Sequence, residues 1–178
     1  MSLITTDYFR LDINVPDDTY STLSDYITRY EPEILRRLLG ETLYQLVAAY
    51  DAESSDQRII DLVAGKDYTV GDYKVSWKGL INTTDYISLI AYYVYYWYVR
   101  DKISNLATTG FISSSHENAQ NSAPNIKLAE VWGKMRELYG YYGQDSLLPS
   151  CYNFLAEHES DYPEWDFTEI GTINFLGI

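Results

Sequence analysis

Hydrophobic positions in the first third of the chain recur at the spacing of an amphipathic helix. Apolar residues from Tyr20 to Tyr30 follow one another at intervals of three and four, and the pattern resumes from Ile34 to Tyr50. Pro32 stands where a second helix would begin in its first turn, and Gly40 interrupts the pattern. We predict helix throughout this region, with two helical pieces that meet at a bend near Gly40.

The two ends of the chain lack a helical stripe. Residues 4–15 alternate imperfectly between apolar and polar, which is typical of an extended arm or an edge strand. Residues 161–178 carry aromatic and apolar side chains at irregular intervals. We predict extended arms over residues 1–16 and 161–178, on either side of one helical domain over residues 17–160.

The middle of the chain alternates between helical and β signals. A short helix is predicted between Asp56 and Gly65, followed by a β-hairpin over about residues 67–77 that turns at Gly71 and Asp72. A polar stretch over about residues 107–124 has no periodicity and is predicted to be a long loop that is either functional or disordered. Amphipathic patterns predict two further helices, one after Pro124 and one from about residue 146 to residue 157.

The run from Tyr86 to Val99 has no polar face, because Ser88 is its one residue that is neither apolar nor aromatic. It is too short for a membrane span, so we predict a core helix that is capped by Thr84 or Asp85 and continues to about Leu106. Its many tyrosine hydroxyls need partners or water. Two interpretations stay open: a central helix whose hydroxyls reach the domain edge, or a helix partly buried by a neighbouring subunit.

The charge of the chain limits its partners. The formal net charge is -13, which opposes the counterion release that drives binding to nucleic acid and to anionic membranes. We therefore expect no direct grip on DNA and no membrane partner. The acidity is either ordinary solubilising charge or a wall that repels passing DNA.

Candidate reactive side chains are few. Cys151 is the one cysteine and lies at an apolar helix position, and neither His116 nor His158 falls in a short metal-ligand spacing. No phosphate-binding loop, dinucleotide-binding motif or nucleophile elbow is present. The sequence predicts a protein that is not an enzyme and that uses no metal or cofactor, made in the cytoplasm without a signal peptide.

Three segments together resemble a known class of proteins. They are Tyr30 to Tyr44 (YEPEILRRLLGETLY), the aromatic helix with the later Thr109-Gly110-Phe111 and Glu117-Asn118, and the helix that contains Val131-Trp132. They are similar to the helical connector proteins (adaptor, ring or head-completion proteins) of tailed bacteriophages, particularly those of gut Bacteroidetes and the crAss-like group. The resemblance covers roughly residues 18–142.

This resemblance implies a structural protein of the virion neck. Such proteins form a ring of about twelve copies beneath the portal protein, contact other neck or tail proteins, and extend the channel through which genomic DNA passes as cargo. The predicted fold class of the chain is mostly α. It is a helical bundle around the central aromatic helix, with a small β-hairpin insertion and two extended arms. The alternative is a monomeric binding module that uses its aromatic residues for a small ligand or glycan.

Enrichment of tyrosine and tryptophan at interface cores points to aromatic and apolar contact residues. We expect the last residues of the chain to pack on another chain, together with parts of the aromatic helix and the polar loop. The predicted interface residues are Tyr95, Tyr98, Phe111, Tyr162, Trp165, Phe167, Phe175 and Leu176.

Overall fold

A computed structural model describes residues 2–15, 20–53, 55–103, 106–107, 110–111 and 124–172. The fold is mostly α with a small antiparallel hairpin, as predicted. The helices are α1 (Tyr20–Ala48), α2 (Gln57–Ala64), α3 (Leu89–Ile103), α4 (Pro124–Tyr139) and α5 (Cys151–Glu157). The strands are β1 (Lys66–Val70), β2 (Tyr73–Trp77), β3 (Leu106–Ala107) and β4 (Gly110–Phe111), which pair as β1 with β2 and β3 with β4.

Helix α1 bends at Gly40, as predicted. The backbone of Gly40 has φ 74° and ψ 167°, outside the helical region. The prediction that Pro32 begins a second helix is wrong, because Pro32 lies inside α1. Proline removes only one intrahelical hydrogen bond, whereas Ile27, Tyr30 and Ile34 on both sides of it stay buried in one core. Burial of that continuous face outweighs the local cost of the proline.

Helix α3 begins later than predicted. The Asn82 side chain accepts hydrogen bonds from the backbone N–H groups of Thr84 and Asp85, which holds these residues in a turn. Tyr86 has φ 55° and cannot lie in a helix, so Ser88 is the residue that caps α3, through the N–H of Ile90. The helix also ends at Ile103, before β3, and so does not reach Leu106.

Helix α3 is the centre of the fold and packs between α1 and α4. Every residue from Leu89 to Tyr96 is buried, and so is Tyr98. Hydroxyls of the core find partners near the surface: Tyr93 donates to Glu33 at 2.7 Å, and Tyr26 of α1 donates to Asp101 at 2.9 Å. The chain by itself therefore buries most of the helix, and Trp97 and Val99 are partly buried.

The segment at the beginning of the chain is not the predicted extended arm or edge strand. It forms two short 3-10 turns, Thr6–Tyr8 and Leu11–Ile13. Most apolar side chains of this segment are buried in the main core, with Leu11 as the exposed exception. Those buried side chains are Ile4, Tyr8, Phe9, Ile13 and Val15.

Helix α5 begins at Cys151, later than the predicted residue 146. Pro149 disfavours helix at the residue before it, and the Asn153 amide donates to the carbonyls of Asp145 and Leu148, which fixes residues 145–150 as a turn. Ser150 caps the helix by accepting from the N–H of Asn153. Helix α2, the hairpin and helix α4 lie where the sequence predicts them.

Candidate interaction surface

An extended segment, residues 162–172, lies across three helices of its own chain; we call it the strap. The Tyr162 hydroxyl donates to the carbonyl of Arg58 at 2.6 Å, and the Arg58 guanidinium makes a bidentate pair with Glu164 at 2.8 and 2.9 Å. On α4, the Tyr139 hydroxyl donates to the carbonyl of Thr168 and the Trp132 indole donates to the carbonyl of Gly171. The strap therefore fastens α1, α2 and α4 together.

The strap also completes the bend in α1. A helix break at Gly40 removes the intrahelical hydrogen bonds of the preceding carbonyls, so these carbonyls need other donors. Three consecutive carbonyls receive them from the strap. The N–H of Thr168 donates to Arg37 at 2.8 Å, the Trp165 indole to Leu38 at 2.9 Å, and the N–H of Asp166 to Leu39 at 3.2 Å.

Glycine at position 40 is required by this contact. A Cβ atom there would lie 2.7 Å from the Cβ of Asp166 and 3.2 Å from its backbone nitrogen, and the positive φ already disfavours other residues. The bend in α1 and the path of the strap therefore depend on each other, although their residues are far apart in sequence.

The first residues of the chain are held by a single buried carboxylate. Glu31 of α1 is 5% exposed and accepts hydrogen bonds from the Ser2 hydroxyl and from the N–H groups of Leu3 and Ile4. Burial raises the pKa of Glu31, against the lowering effect of these donors. Both ends of the described chain are thus anchored on α1, one just before Pro32 and the other just before Gly40.

The structure places the predicted interface residues mostly inside the protein. Tyr95 and Tyr98 are 9% and 7% exposed, and Tyr162 is buried. Trp165 and Phe167 of the strap are partly buried, and their rings pack on Tyr152 with centroids 5.6 and 4.7 Å away. These five side chains therefore hold the chain's own fold and leave little surface for a partner.

The structure says less about the other predicted interface residues. Phe111 lies in strand β4, whereas Phe175 and Leu176 lie outside the described residues. Most of the predicted loop over residues 107–124, including His116, also lies outside them. The prediction that these residues contact another chain stays a prediction.

Most exposed large apolar side chains lie instead in or next to turns between elements, and Leu46 of α1 and Ile126 of α4 are the exceptions among the described residues. Leu11 lies in the second 3-10 turn, Tyr73 at the tip of the hairpin, and Tyr142 and Leu148 in the connection between α4 and α5. Ile87, in the turn before α3, is also exposed. Sequence reasoning missed these residues because it placed Leu11 in an alternating segment, Ile87 in the aromatic helix and Leu148 in the last helix, whereas all three lie outside the regular helices and strands of the structure.

An apolar cavity of about 220 Å³ lies beside Ile87. The side chains of Trp77, Leu89 and Leu138 line it together with Pro149 and the backbone of Gly79. Lys78 and Asp85 also border the cavity, and both are exposed. The cavity joins the base of the hairpin, the start of α3 and the end of α4.

Two of the candidate reactive side chains, Cys151 and His158, lie among the described residues and pack against the fold. Cys151 is fully buried, and its burial raises the pKa of the thiol. The Nδ1 atom of His158 is 2.8 Å from the carbonyl of Phe154, and its ring packs on Tyr68 and Phe154. Within these same ranges, no three His, Cys, Asp or Glu side chains are placed to hold a metal ion, and no helix has the length and apolarity needed to cross a membrane.

Comparison with known proteins gives one match. No curated protein and no solved structure matches the chain. A family model described as a family of unknown function (DUF6712) matches residues 35–174. The match contains Gly40 and the whole strap, whereas Glu31 and the first residues of the chain lie before it. Because the match covers most of the sequence, the chain belongs to the DUF6712 family.

Proposed function

We propose that this protein is a structural component of a tailed-bacteriophage virion neck. It forms an oligomeric ring beneath the portal protein, joins the capsid to the tail and extends the DNA channel. It is made in the cytoplasm of the host bacterium and ends in the virion. The resemblance of three segments to phage connector proteins suggests this role.

The observation that carries the proposal is the exposure of large apolar side chains in several separate turns of one closed body. Leu11, Tyr73 and the pair Tyr142 and Leu148 come from three different connections, while the aromatic residues of the core beneath them are buried. A ring subunit needs different contact surfaces for its two lateral neighbours and for the proteins above and below it. Short apolar contacts on a rigid frame meet that need without any reactive group.

The charge of the chain agrees with the same role. A net charge of -13 does not favour binding to DNA, and an acidic channel wall would let DNA pass without sticking. We expect Asp and Glu to outnumber Lys and Arg on the surface that lines the channel. A lumen lined mainly by Lys and Arg would contradict this part of the proposal.

The glycan-binding alternative has less support in the geometry. Sugar-stacking platforms present ring faces along one exposed surface, but the Tyr142 and Tyr152 rings meet edge to face, with centroids 5.4 Å apart. Among the described residues, the other strongly exposed ring is that of Tyr73, at the tip of the hairpin. A monomer that binds an oligosaccharide in solution, and stays monomeric with the portal protein, would favour this alternative.

The proposal is tested by following the protein into particles. Virions are purified from infected cells, and their proteins are quantified by mass spectrometry against the portal protein as internal standard. We expect a fixed ratio to the portal protein near one to one, and a native mass for the mixture of the two purified proteins that shows a ring. Absence from purified virions, with abundant protein in the lysate, would contradict the proposed function.

A further inference from the structure

Arginine and lysine side chains of this protein lie over its own aromatic rings unusually often. Significant cation–π contacts occur roughly once per 70–80 residues in known structures. The described residues of this 178-residue chain contain seven, in which the cation lies 4.1–5.9 Å from the ring centre. The rings covered in this way are those of Tyr30, Tyr44, Tyr86, Trp97, Tyr98, Tyr141 and Tyr162.

One group of four aromatic rings has no such cation. The rings come from the α4–α5 connection, from α5 and from the strap, and neighbouring centroids lie 4.7–5.9 Å apart. We call this group the aromatic cluster; its members are Tyr142, Tyr152, Trp165 and Phe167. All thirteen Lys and Arg residues of the chain lie among the described residues, and none of them covers a ring of this cluster.

Two adjacent tyrosines show the difference directly. The Arg136 guanidinium lies 4.1 Å from the centre of the Tyr141 ring, donates to the carbonyl of Ile170 and pairs with Glu169. This arginine is therefore fully engaged on one side of the connection. The next residue, Tyr142, is 59% exposed and touches only other rings of the aromatic cluster among its ring contacts.

Carboxylates stand beside the aromatic cluster where cations stand elsewhere. Burial is the main reason that the pKa of Tyr152 is raised, and the charges of Tyr142, Glu169 and Glu159 add to it. Glu169 pairs with Arg136 at 3.5 Å, whereas the exposed Glu159 side chain has no ion pair among the described residues. Exposed aromatic surface next to an unpaired carboxylate is suited to a cation that comes from outside the chain.

A second copy of this chain is a poor source of that cation. All seven arginines of the chain already lie over a ring or in an ion pair. Two copies that each carry a net charge of -13 also repel at long range. The same charge attracts a basic segment of a different protein and speeds its approach.

We propose that the aromatic cluster binds an arginine-containing basic segment of a partner protein. One arginine of the segment lies over the uncovered Tyr142 ring, and a further basic residue meets Glu159 beside Tyr152. Arginine suits this position better than lysine, because its planar guanidinium stacks on an aromatic face and is more weakly hydrated. Trp165 and Phe167 are partly buried and hold the two tyrosines in place from the strap.

This inference goes beyond the proposed function and does not rest on it, because the purified chain binds the segment without any other virion protein. Virions that contain the protein, combined with no peptide binding, would remove this surface and leave the neck function standing. Specific peptide binding, combined with absence from virions, would keep the surface and remove the neck function.

The test measures binding of a short fluorescein-labelled peptide of alternating glycine and arginine to the full chain by fluorescence anisotropy. Two further peptides replace each arginine by lysine or by citrulline, which has nearly the shape of arginine but no charge. Tyr142→Ala removes the uncovered ring, and its matched control is Tyr73→Ala, because Tyr73 is 65% exposed at the hairpin tip. Glu159→Gln removes the carboxylate, and its matched control is Glu53→Gln, at an exposed position between α1 and α2.

We expect Tyr142→Ala to weaken binding of the arginine peptide about two- to fivefold, as for the loss of one exposed cation–π contact. Glu159→Gln also weakens it, and the two control substitutions leave it nearly unchanged. The lysine peptide binds less tightly than the arginine peptide, and the citrulline peptide does not bind. Circular dichroism verifies the fold of each variant, and Tyr142→Leu, which keeps an apolar side chain without a ring, should weaken binding as Tyr142→Ala does.

Three outcomes would overturn the proposal. The first is equal weakening by a substitution and its matched control, which would mean general attraction to an acidic protein. The second is no binding of the arginine peptide. The third is self-association of the unsubstituted protein, measured by sedimentation, that Tyr142→Ala abolishes, because a second copy would then be the occupant.

Discussion

The two ends of the described chain are both anchored on α1, but by different chemistry. The first residues are bound through the Glu31 carboxylate, which accepts three hydrogen bonds. The strap is bound through main-chain carbonyls that the bend at Gly40 leaves open. The first attachment depends on a carboxyl group that can titrate, whereas the second depends on the absence of a side chain. Their responses to mutation and to pH should therefore differ.

The largest effect is expected for Gly40→Ala. The new Cβ meets Asp166 at 2.7 Å in a backbone conformation that alanine rarely adopts, so the strap must move and three carbonyls lose their donors. We expect a loss of about 2–4 kcal/mol in the free energy of unfolding. Urea denaturation monitored by tryptophan fluorescence measures it, because Trp165 lies in the strap.

Gly133→Ala is the matched control for that substitution. Gly133 lies in α4, where an added Cβ has no heavy atom within 4 Å. Replacing glycine by alanine in a helix is expected to stabilise the protein by up to about 1 kcal/mol. A Gly40→Ala variant as stable as Gly133→Ala would show that the strap is not needed to complete the bend.

The next effect is expected for Glu31→Ala. Removing the carboxylate leaves the N–H groups of Leu3 and Ile4 without their acceptor, which should cost about 1–3 kcal/mol. Hydrogen exchange of these two amides should speed up while the strap amides of Asp166 and Thr168 change little. Glu130→Ala, an exposed position on α4, is the control. Equal acceleration in the strap would mean that the two attachments are not independent.

A smaller effect is expected for Glu164→Gln, which weakens the bidentate pair with Arg58. Both side chains are about one quarter exposed, so water offsets part of the loss, and we expect about 0.5–1 kcal/mol. Thermal unfolding should show a small shift for this variant. A shift as large as that of Gly40→Ala would place the main anchor of the strap at this ion pair and not at the carbonyls of α1.

The smallest effects are the opposite pH responses of the two attachments. Burial raises the pKa of Glu31 above 4.5, so its contribution to stability is complete below that pH and is lost as pH rises through the folded pKa. Arg58 lowers the pKa of Glu164, so its contribution is present above 4.5 and is lost as pH falls through the folded pKa. Unfolding of Glu31→Gln and Glu164→Gln between pH 3 and pH 7, relative to the unsubstituted protein, should show these opposite slopes. Parallel slopes would contradict the assignment.

Periodic segments were predictable from the sequence, because burial of one face fixes their structure. The bend at Gly40, helix α4 and the hairpin at Gly71 follow from spacing and turn chemistry. The start of α3 was not predictable, since the Asn82 turn and the positive φ of Tyr86 replace a cap that Asp85 would otherwise provide. Local signals identify elements, and tertiary hydrogen bonds move their ends.

The candidate surface was less predictable than the fold. Aromatic residues such as Tyr95, Trp165 and Phe167 were expected at an interface, but a tyrosine or tryptophan packs equally well in a core when its polar atom finds a partner. Leu11 and Ile87 were predicted inside an alternating segment and inside the aromatic helix, but both are exposed, because the structure has a 3-10 turn at the first and begins α3 only after the second. Only the position of the neighbouring turns in the structure shows that these two side chains are exposed.

The bend at Gly40 has a consequence for the order of events during synthesis. The carbonyl of Leu38 obtains its donor from Trp165, 127 positions later in the chain. Helix α1 leaves the ribosome long before that tryptophan is synthesised. Until the strap docks, the carbonyls at the bend can bond only to water. Docking of the strap is then a late, long-range step of folding. Shortened chains that stop before residue 165 would lack the donors for the carbonyls at the bend of α1.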